Sequence, residues 1–266
     1  MSEPVVLFVV EGAERDWRFV NRMTDCFMRG SFKANVISLP AEQNLYMLYG
    51  RLAEEDFDVD LVEVLRESVP AAKEALEGVS RQDVAEVYLF FDYDPHQNNV
   101  PAGGAFPDSI VEAMLDAFNN ETENGKLYIS YPMVEALYDY RYAQCQAFSG
   151  CFIPLREIGG YKKLSGCNNP NASGHMSIQQ WKDAIEVFAL RVSCLFDIDS
   201  LSYEIYRESV TPRSIHAFER GLVDDRGEVF VLSAFPEFLL DYFPKSFWSS
   251  RVKMCKPRFN DCPKGL

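Results

Sequence analysis

Asp92-Tyr93-Asp94 follows directly on Val84 to Phe91 (VAEVYLFF), an apolar run with no polar relief in its last five residues. Two carboxylates at i and i+2 on a turn can aim at one hard cation, and Mg²⁺ usually takes one or two carboxylates together with substrate oxygens. The chain carries D-x-D four times, at Asp56/Asp58, Asp58/Asp60, Asp92/Asp94 and Asp197/Asp199. In so acidic a sequence several are expected by chance, and only Asp92/Asp94 terminates a strong buried-strand pattern. Glu11-Gly12 ends a second apolar run, Val5 to Val10, and Glu14 follows three residues later. A glutamate where a backbone turns sharply can serve as general acid/base or as a metal ligand. Its structural alternative is a charge at the start of the next helix. His96, two residues after Asp94, reads first as a turn-capping loop residue.

These carboxylates need strands behind them. Val5–Val10 is β-branched and aromatic throughout, the habit of a strand buried on both faces in a parallel sheet. Ala13 to Met28 reads as a helix with Trp17, Val20, Met23 and Phe27 on one stripe. Lys33 to Leu39 and Lys126 to Ser130 read as further strands, and residues 41–79 as two helical pieces. Helices are also expected over Pro107 to Asn119 and from Pro132 to Tyr140. Strands alternating with helices imply βαβ units. In such sheets ligands bind outside the carboxyl ends of the strands, where both Glu11 and Asp92/Asp94 fall. Beyond about residue 142 the pattern changes: a polar loop over Tyr161 to Gly174, helices over Ser177 to Leu195 and Ser202 to Arg220, then a short apolar helix over Pro236 to Phe243. The expectation is an α/β domain over residues 1–141, with a mostly parallel sheet of about four strands flanked by helices. A mainly helical C-terminal extension is expected over 142–266.

Lys and Arg number 26 against 40 Asp and Glu, a formal charge of −14. Residues 1–125 hold 9 of the bases and 24 of the acids; the later half is close to neutral, and its tail is basic. An acidic chain is a poor prior for a bulk nucleic-acid binder. No apolar run reaches the ~18–20 residues that span a bilayer, so no membrane role is expected. The N-terminal apolar run has no basic flank and does not read as a signal peptide. Seven cysteines, an odd count without paired spacing, fit reduced thiols in a cytoplasm rather than a zinc site or a disulfide frame.

Val10-Glu11-Gly12-Ala13-Glu14 followed by Phe90-Phe91-Asp92-Tyr93-Asp94 resembles the TOPRIM domain, the metal-dependent phosphoryl-transfer module of primases, topoisomerases of types IA and II, and OLD-family nucleases. The V-E-G-x-x-E form is most similar to OLD-like and RloB-like members, largely prokaryotic phage-defence proteins. Ile129-Ser130-Tyr131-Pro132-Met133-Val134-Glu135 is similar to a strand-then-(N/Y)-P-x-x-E segment of the same group. The likeness covers roughly residues 4–140. It implies a TOPRIM/Rossmann-like sheet and a Mg²⁺- or Mn²⁺-dependent nuclease acting on DNA or RNA, working in a defence system beside a separate ATPase. It leaves room for a homodimer. It implies that Glu11 is the general acid/base, that Glu11, Glu14, Asp92 and Asp94 are the metal ligands, and that a downstream lysine, Lys162 or Lys163, takes part in catalysis. Two-metal phosphoryl chemistry needs several carboxylates about cations ~3.5–4 Å apart. Given the acidity, either the basic tail (Arg251, Lys253, Lys256 and Arg258) with the Lys162/Lys163 segment contacts the nucleic-acid backbone, or a partner supplies positive surface. The chain has no G-x-x-x-x-G-K-[ST] loop of its own.

Two other readings compete. A glycosyltransferase would use Asp92/Asp94 to hold a metal and a nucleotide-sugar diphosphate, leaving Glu11 and Glu14 unexplained. A non-catalytic regulatory or toxin subunit would keep the fold and tolerate loss of all four carboxylates.

Overall fold

Val5–Val10 (β1) is buried at every residue and lies inside a sheet with a strand on each side. In the computed structural model of the chain, residues 3–12, 15–30, 32–40, 44–93, 109–142, 151–168, 175–199 and 201–252 are described. The sheet has the order β2-β1-β3-β5-β4, with β2 at Lys33–Ser38, β3 at Val84–Asp92, β4 at Asn119–Asn120 and β5 at Gly125–Ser130. β1 runs parallel to both neighbours, and Val10 is in register with Ser38 on one side and Phe90 on the other. β4 is antiparallel to β5. The first strand thus sits inside the sheet, between β2 and β3, because its residues can be buried on both faces. β4 is the strand beyond the four expected. Its two asparagines carry no apolar signal; besides pairing with β5, Asn119 donates to the Asp116 carbonyl and Asn120 accepts from Thr122.

The chain divides into two compact units, one of Met1–Phe91, His96–Tyr128 and Ser173–His175, the other of Asp92–Pro95, Ile129–Ala172 and Met176–Leu266. The division runs through β3 and β5.

In the first unit α1 spans Arg15–Phe27 and buries Asp16, Phe19, Val20 and Met23, residues at helical spacing. This corrects the expected stripe: Trp17 is 48% exposed, and Phe19 takes the inward place. The segment expected as two helical pieces is three: α2 at Leu45–Glu54, α3 at Leu61–Ser68 and α4 at Pro70–Ala75. Asn44 caps α2 by accepting the Met47 N–H, and Asp60 caps α3 by accepting that of Val62. Pro70 causes the extra break, because it disfavours helical backbone at Val69 and itself starts the next helix at its first position. α5 follows at Ser109–Ala117.

The second unit is mainly helical. A 3₁₀ segment, Val134–Tyr142, stands where a helix was expected. β6 (Phe152–Pro154) pairs antiparallel with β7 (Glu228–Phe230). α6 covers Ile158–Asn168, α7 Ile178–Leu195, α8 Tyr203–Ser209, α9 Pro212–Arg226, α10 Ala234–Tyr242 and α11 Lys245–Arg251. The expected polar loop over Tyr161 to Gly174 is therefore helical as far as Asn168. Ile158, Tyr161 and Ser165 form its buried face, a face hidden in the sequence by the polar residues between them. The helix expected over Ser202 to Arg220 is two, since Thr211 and Pro212 begin a new capped helix with Ser214 closing the capping box. Among the described residues no helix is long and apolar enough to cross a membrane.

Candidate active site

Glu11 leaves β1 half-buried, and its Oε1 accepts the backbone N–H of Leu45 at 3.3 Å. Leu45 is the first residue of α2, whose N–H has no partner inside the helix. The carboxylate therefore closes the helix start while standing at the strand end. Gly12 follows because of Asp16. The Asp16 Oδ2 accepts the Gly12 N–H at 2.8 Å, and a Cβ on residue 12 would lie 2.5 Å from that oxygen. Asp16 is 7% exposed and escaped the sequence reading. Its signal was a carboxylate in the first turn of a helix that starts just past a strand-ending glycine.

Asp92 is the last residue of β3 and is half-buried. Tyr93 turns inward, 5% exposed, and donates its N–H to the Ser130 carbonyl at 2.9 Å. Its ring lies 5.1 Å from that of Tyr131 and 6.0 Å from that of His216. The Tyr131 hydroxyl and His216 Nδ1 are 3.1 Å apart. His216 and Glu219 on α9 are both buried, at i and i+3. The sequence reading missed this pair, which is visible only as two polar residues on the apolar face of a predicted helix. Burial pushes the Glu219 carboxyl well above its ordinary value, a rise the Phe230 N–H opposes by donating to Oε2 at 2.9 Å.

β1 and β3 are adjacent and parallel, with Val10 opposite Phe90. Glu11 follows β1 in the first unit, and Asp92 ends β3 and belongs to the second unit. Glu14, Asp94 and His96 lie outside the described residues, as do Lys253, Lys256 and Arg258. Among the described residues no three His, Cys, Asp or Glu side chains gather as for a metal ion.

The two candidate lysines separate. Lys162 Nζ stands 3.9 Å from Glu135 Oε1, and the Glu135 side chain is 3% exposed. Both lysines are exposed, Lys162 by 69% of its side chain. Glu135 belongs to the Y-P-x-x-E segment, so the structure brings that segment and Lys162 together within one unit. Beside them Tyr161 donates its hydroxyl to the buried Asp139 carboxylate. Burial raises the Asp139 carboxyl; the Tyr161 hydrogen bond and the nearby Arg191 charge pull it back. Arg191 donates to the carbonyls of Val231 at 2.8 Å and Asp139 at 3.2 Å. In the expected basic tail, the Arg251 guanidinium lies 3.7 Å over the Phe247 ring and donates to the Phe247 carbonyl. Arg251 is thus engaged within α11.

No protein-family model, no curated protein and no solved structure matches the chain.

Proposed function

We propose that the chain is a Mg²⁺- or Mn²⁺-dependent nuclease of TOPRIM/Rossmann-like type, hydrolysing phosphodiesters at the carboxyl ends of β1 and β3. One observation carries this reading, the strand order. The chain passes from β1 to β2 on one side and returns to β3 on the other. In open α/β sheets such a reversal leaves a crevice at the strand ends, where ligands bind. Glu11 and Asp92 follow the two strands that flank it.

The residues fit a hard divalent cation. Glu11 and Asp92 offer carboxylate oxygens, the donor type that Mg²⁺ and Mn²⁺ take, and one or two such ligands suffice when substrate oxygens complete the shell. A cation bound there supplies Lewis-acid polarisation of the phosphate and stabilises developing charge. Glu11 serves as the general base that takes the proton of the attacking water, or as the acid that returns one to the leaving oxygen. Its tie to Leu45 fixes the direction of the carboxylate before substrate arrives. Of the two lysines proposed for catalysis, Lys162 and Lys163, Lys162 stands beside the buried Glu135 of the Y-P-x-x-E segment. Glu14 and Asp94 complete the proposed metal ligands. A prokaryotic defence role beside an ATPase partner, and backbone contacts by Arg251, Lys253, Lys256 and Arg258, belong to the same reading.

A second reading has one observation in its favour. Accepting the Leu45 N–H is also what a purely structural cap does, as in a non-catalytic subunit. Glu11→Gln separates the two. The amide oxygen keeps the bond to Leu45 while the charge is lost. In Mn²⁺ with plasmid, single-stranded DNA or tRNA, the nuclease reading expects cleavage to fall by ~10²-fold or more with the fold intact. Cleavage by Glu11→Gln at the parent's rate would overturn it.

A further inference from the structure

Ser233 stands in the cap position of α10, but its hydroxyl makes no cap hydrogen bond. The residue is 6% exposed, and its Oγ has no hydrogen-bond partner. Arg191 on α7 is 5% exposed. Its guanidinium donates to the Val231 and Asp139 carbonyls, while its Nε has no partner. Both residues line one cavity of about 10 Å³ in the second unit. That is room for a single guest of about the size of a water. The other walls are apolar, with Leu137 from the 3₁₀ segment, Val187 and Phe188 from α7 and Pro236 from α10. An arginine cannot shed its charge, and a buried charge is costly unless paired. The two carbonyls satisfy donors of Arg191 but bring no negative charge. The Asp139 carboxyl feels the Arg191 charge, yet it accepts from Tyr161 and does not line the cavity. Glu237 on α10 does not line it either; its charge acts on the Tyr206 hydroxyl.

We propose that this cavity binds one monatomic anion of the chloride class, held by the Arg191 Nε–H and the Ser233 hydroxyl at the start of α10. Three arguments favour it. The first is charge: an anion here is the counter-ion that the buried guanidinium lacks among its hydrogen-bond partners. The second is the donor set. Arg191 can only donate and Ser233 has a hydroxyl hydrogen to give. A water would have two hydrogens of its own to place, and among the lining side chains only the Ser233 oxygen could accept one. The third is the helix. α10 begins at the cavity with Ser233 and Pro236 in its wall, and the first turn of a helix carries partial positive charge. An anion so placed ties the 3₁₀ segment, α7 and α10 together from inside. The cavity's size excludes polyatomic oxyanions such as sulfate. Neither Glu11 nor Asp92 lines it, so the assignment stands apart from the nuclease reading.

The test uses the whole chain, dialysed into sodium gluconate to remove halide. Thermal unfolding is followed as NaCl replaces gluconate at fixed ionic strength. Once chloride exceeds its Kd, each tenfold should raise Tm by about 2–5 °C, since a ligand bound only by the folded state stabilises it by mass action. Ser233→Ala should move the chloride midpoint up by ~10-fold, the worth of one hydrogen bond to a charged group. Arg191→Met should lose the chloride response; Ser233→Ala carries the test if Arg191→Met does not fold. Unfolding of the parent that is indifferent to chloride overturns the site, and so does a Ser233→Ala response equal to the parent's. A crystal of the parent grown in NaBr gives the direct measurement. A bromine anomalous peak within hydrogen-bonding reach of both Arg191 Nε and Ser233 Oγ is the expected result. Density in the cavity without anomalous signal assigns a water and overturns the proposal. Bromide found only on the surface, an adventitious ion only, overturns it too.

Discussion

Asp16 Oδ2 accepts the Gly12 N–H at 2.8 Å, so the turn that releases Glu11 from β1 is closed by the first turn of the next helix. A Cβ at residue 12 would lie 2.5 Å from that oxygen and 2.8 Å from Cγ. The carboxylate is buried and hydrogen-bonded, so it cannot simply swing aside. Gly12→Ala should cost about 1–3 kcal/mol of stability, the value of a buried hydrogen bond broken on one side, and should lower cleavage as well by displacing Glu11. Denaturant unfolding checks the first part. A variant as stable as the parent would mean that Asp16 re-aims freely.

Glu219 lets pH report on the second unit. Its folded carboxyl is raised well above the ordinary 4.5 by burial. Above that ordinary value the unfolded chain has lost a proton that the folded chain keeps, so stability falls as pH rises toward the folded pKa. The loss is about 1.4 kcal/mol per pH unit for one proton. Glu219→Gln keeps an acceptor for the Phe230 N–H and never ionises. The stability difference between the variant and the parent should therefore widen in favour of the variant as pH rises above the ordinary value, at up to about that slope, until the folded carboxyl ionises. Parallel urea titrations at pH 5, 6 and 7 measure it. Equal pH profiles would contradict the buried, protonated assignment.

Tyr161 and Asp139 form a buried pair whose loss should be felt twice. Tyr161→Phe removes the hydroxyl donor, leaving a buried carboxylate less well satisfied at a cost of about 1–3 kcal/mol. The Asp139 carboxyl, already raised by burial, should rise further because one of the two influences lowering it is gone. Infrared titration of the carboxyl band, parent against variant, follows the shift. An unmoved band would show that Arg191 alone sets the balance.

Lys162 and Lys163 were indistinguishable as sequence neighbours. Both are exposed, and Lys162 stands 3.9 Å from the buried Glu135. If cleavage needs a lysine, Lys162→Ala should lower it by ~10-fold or more, with Lys163→Ala near the parent. The reverse pattern would reassign the role.

The sheet was legible where burial was complete. Val5–Val10 and the end of β3 carry runs of β-branched and aromatic residues that only a doubly covered strand explains, and they are neighbours as expected. Segments held by local polar chemistry were illegible. α6 hides a narrow buried face of Ile158, Tyr161 and Ser165 among glycines and lysines, and β4 is two asparagines paired to β5. Trp17 was misplaced because size suggested burial, although its helical partner at i+4 is Asn21. Of the candidate site, Glu11 and Asp92 could be named from position alone. Asp16, His216 and Glu219 could not, since each is polar in a sequence full of polar residues and is distinguished only by what surrounds it.

The central claim is that Glu11 and Asp92 share a divalent cation. The direct measurement is a crystal of the whole chain soaked in Mn²⁺, with data collected for anomalous scattering. A manganese peak at coordination distance, on the order of 2.1 Å, from carboxylate oxygens of both Glu11 and Asp92 is the expected result, and it should vanish in Asp92→Ala. A well-occupied peak elsewhere, or strand ends that stay unliganded at millimolar Mn²⁺ with both side chains in clear density, would contradict the account.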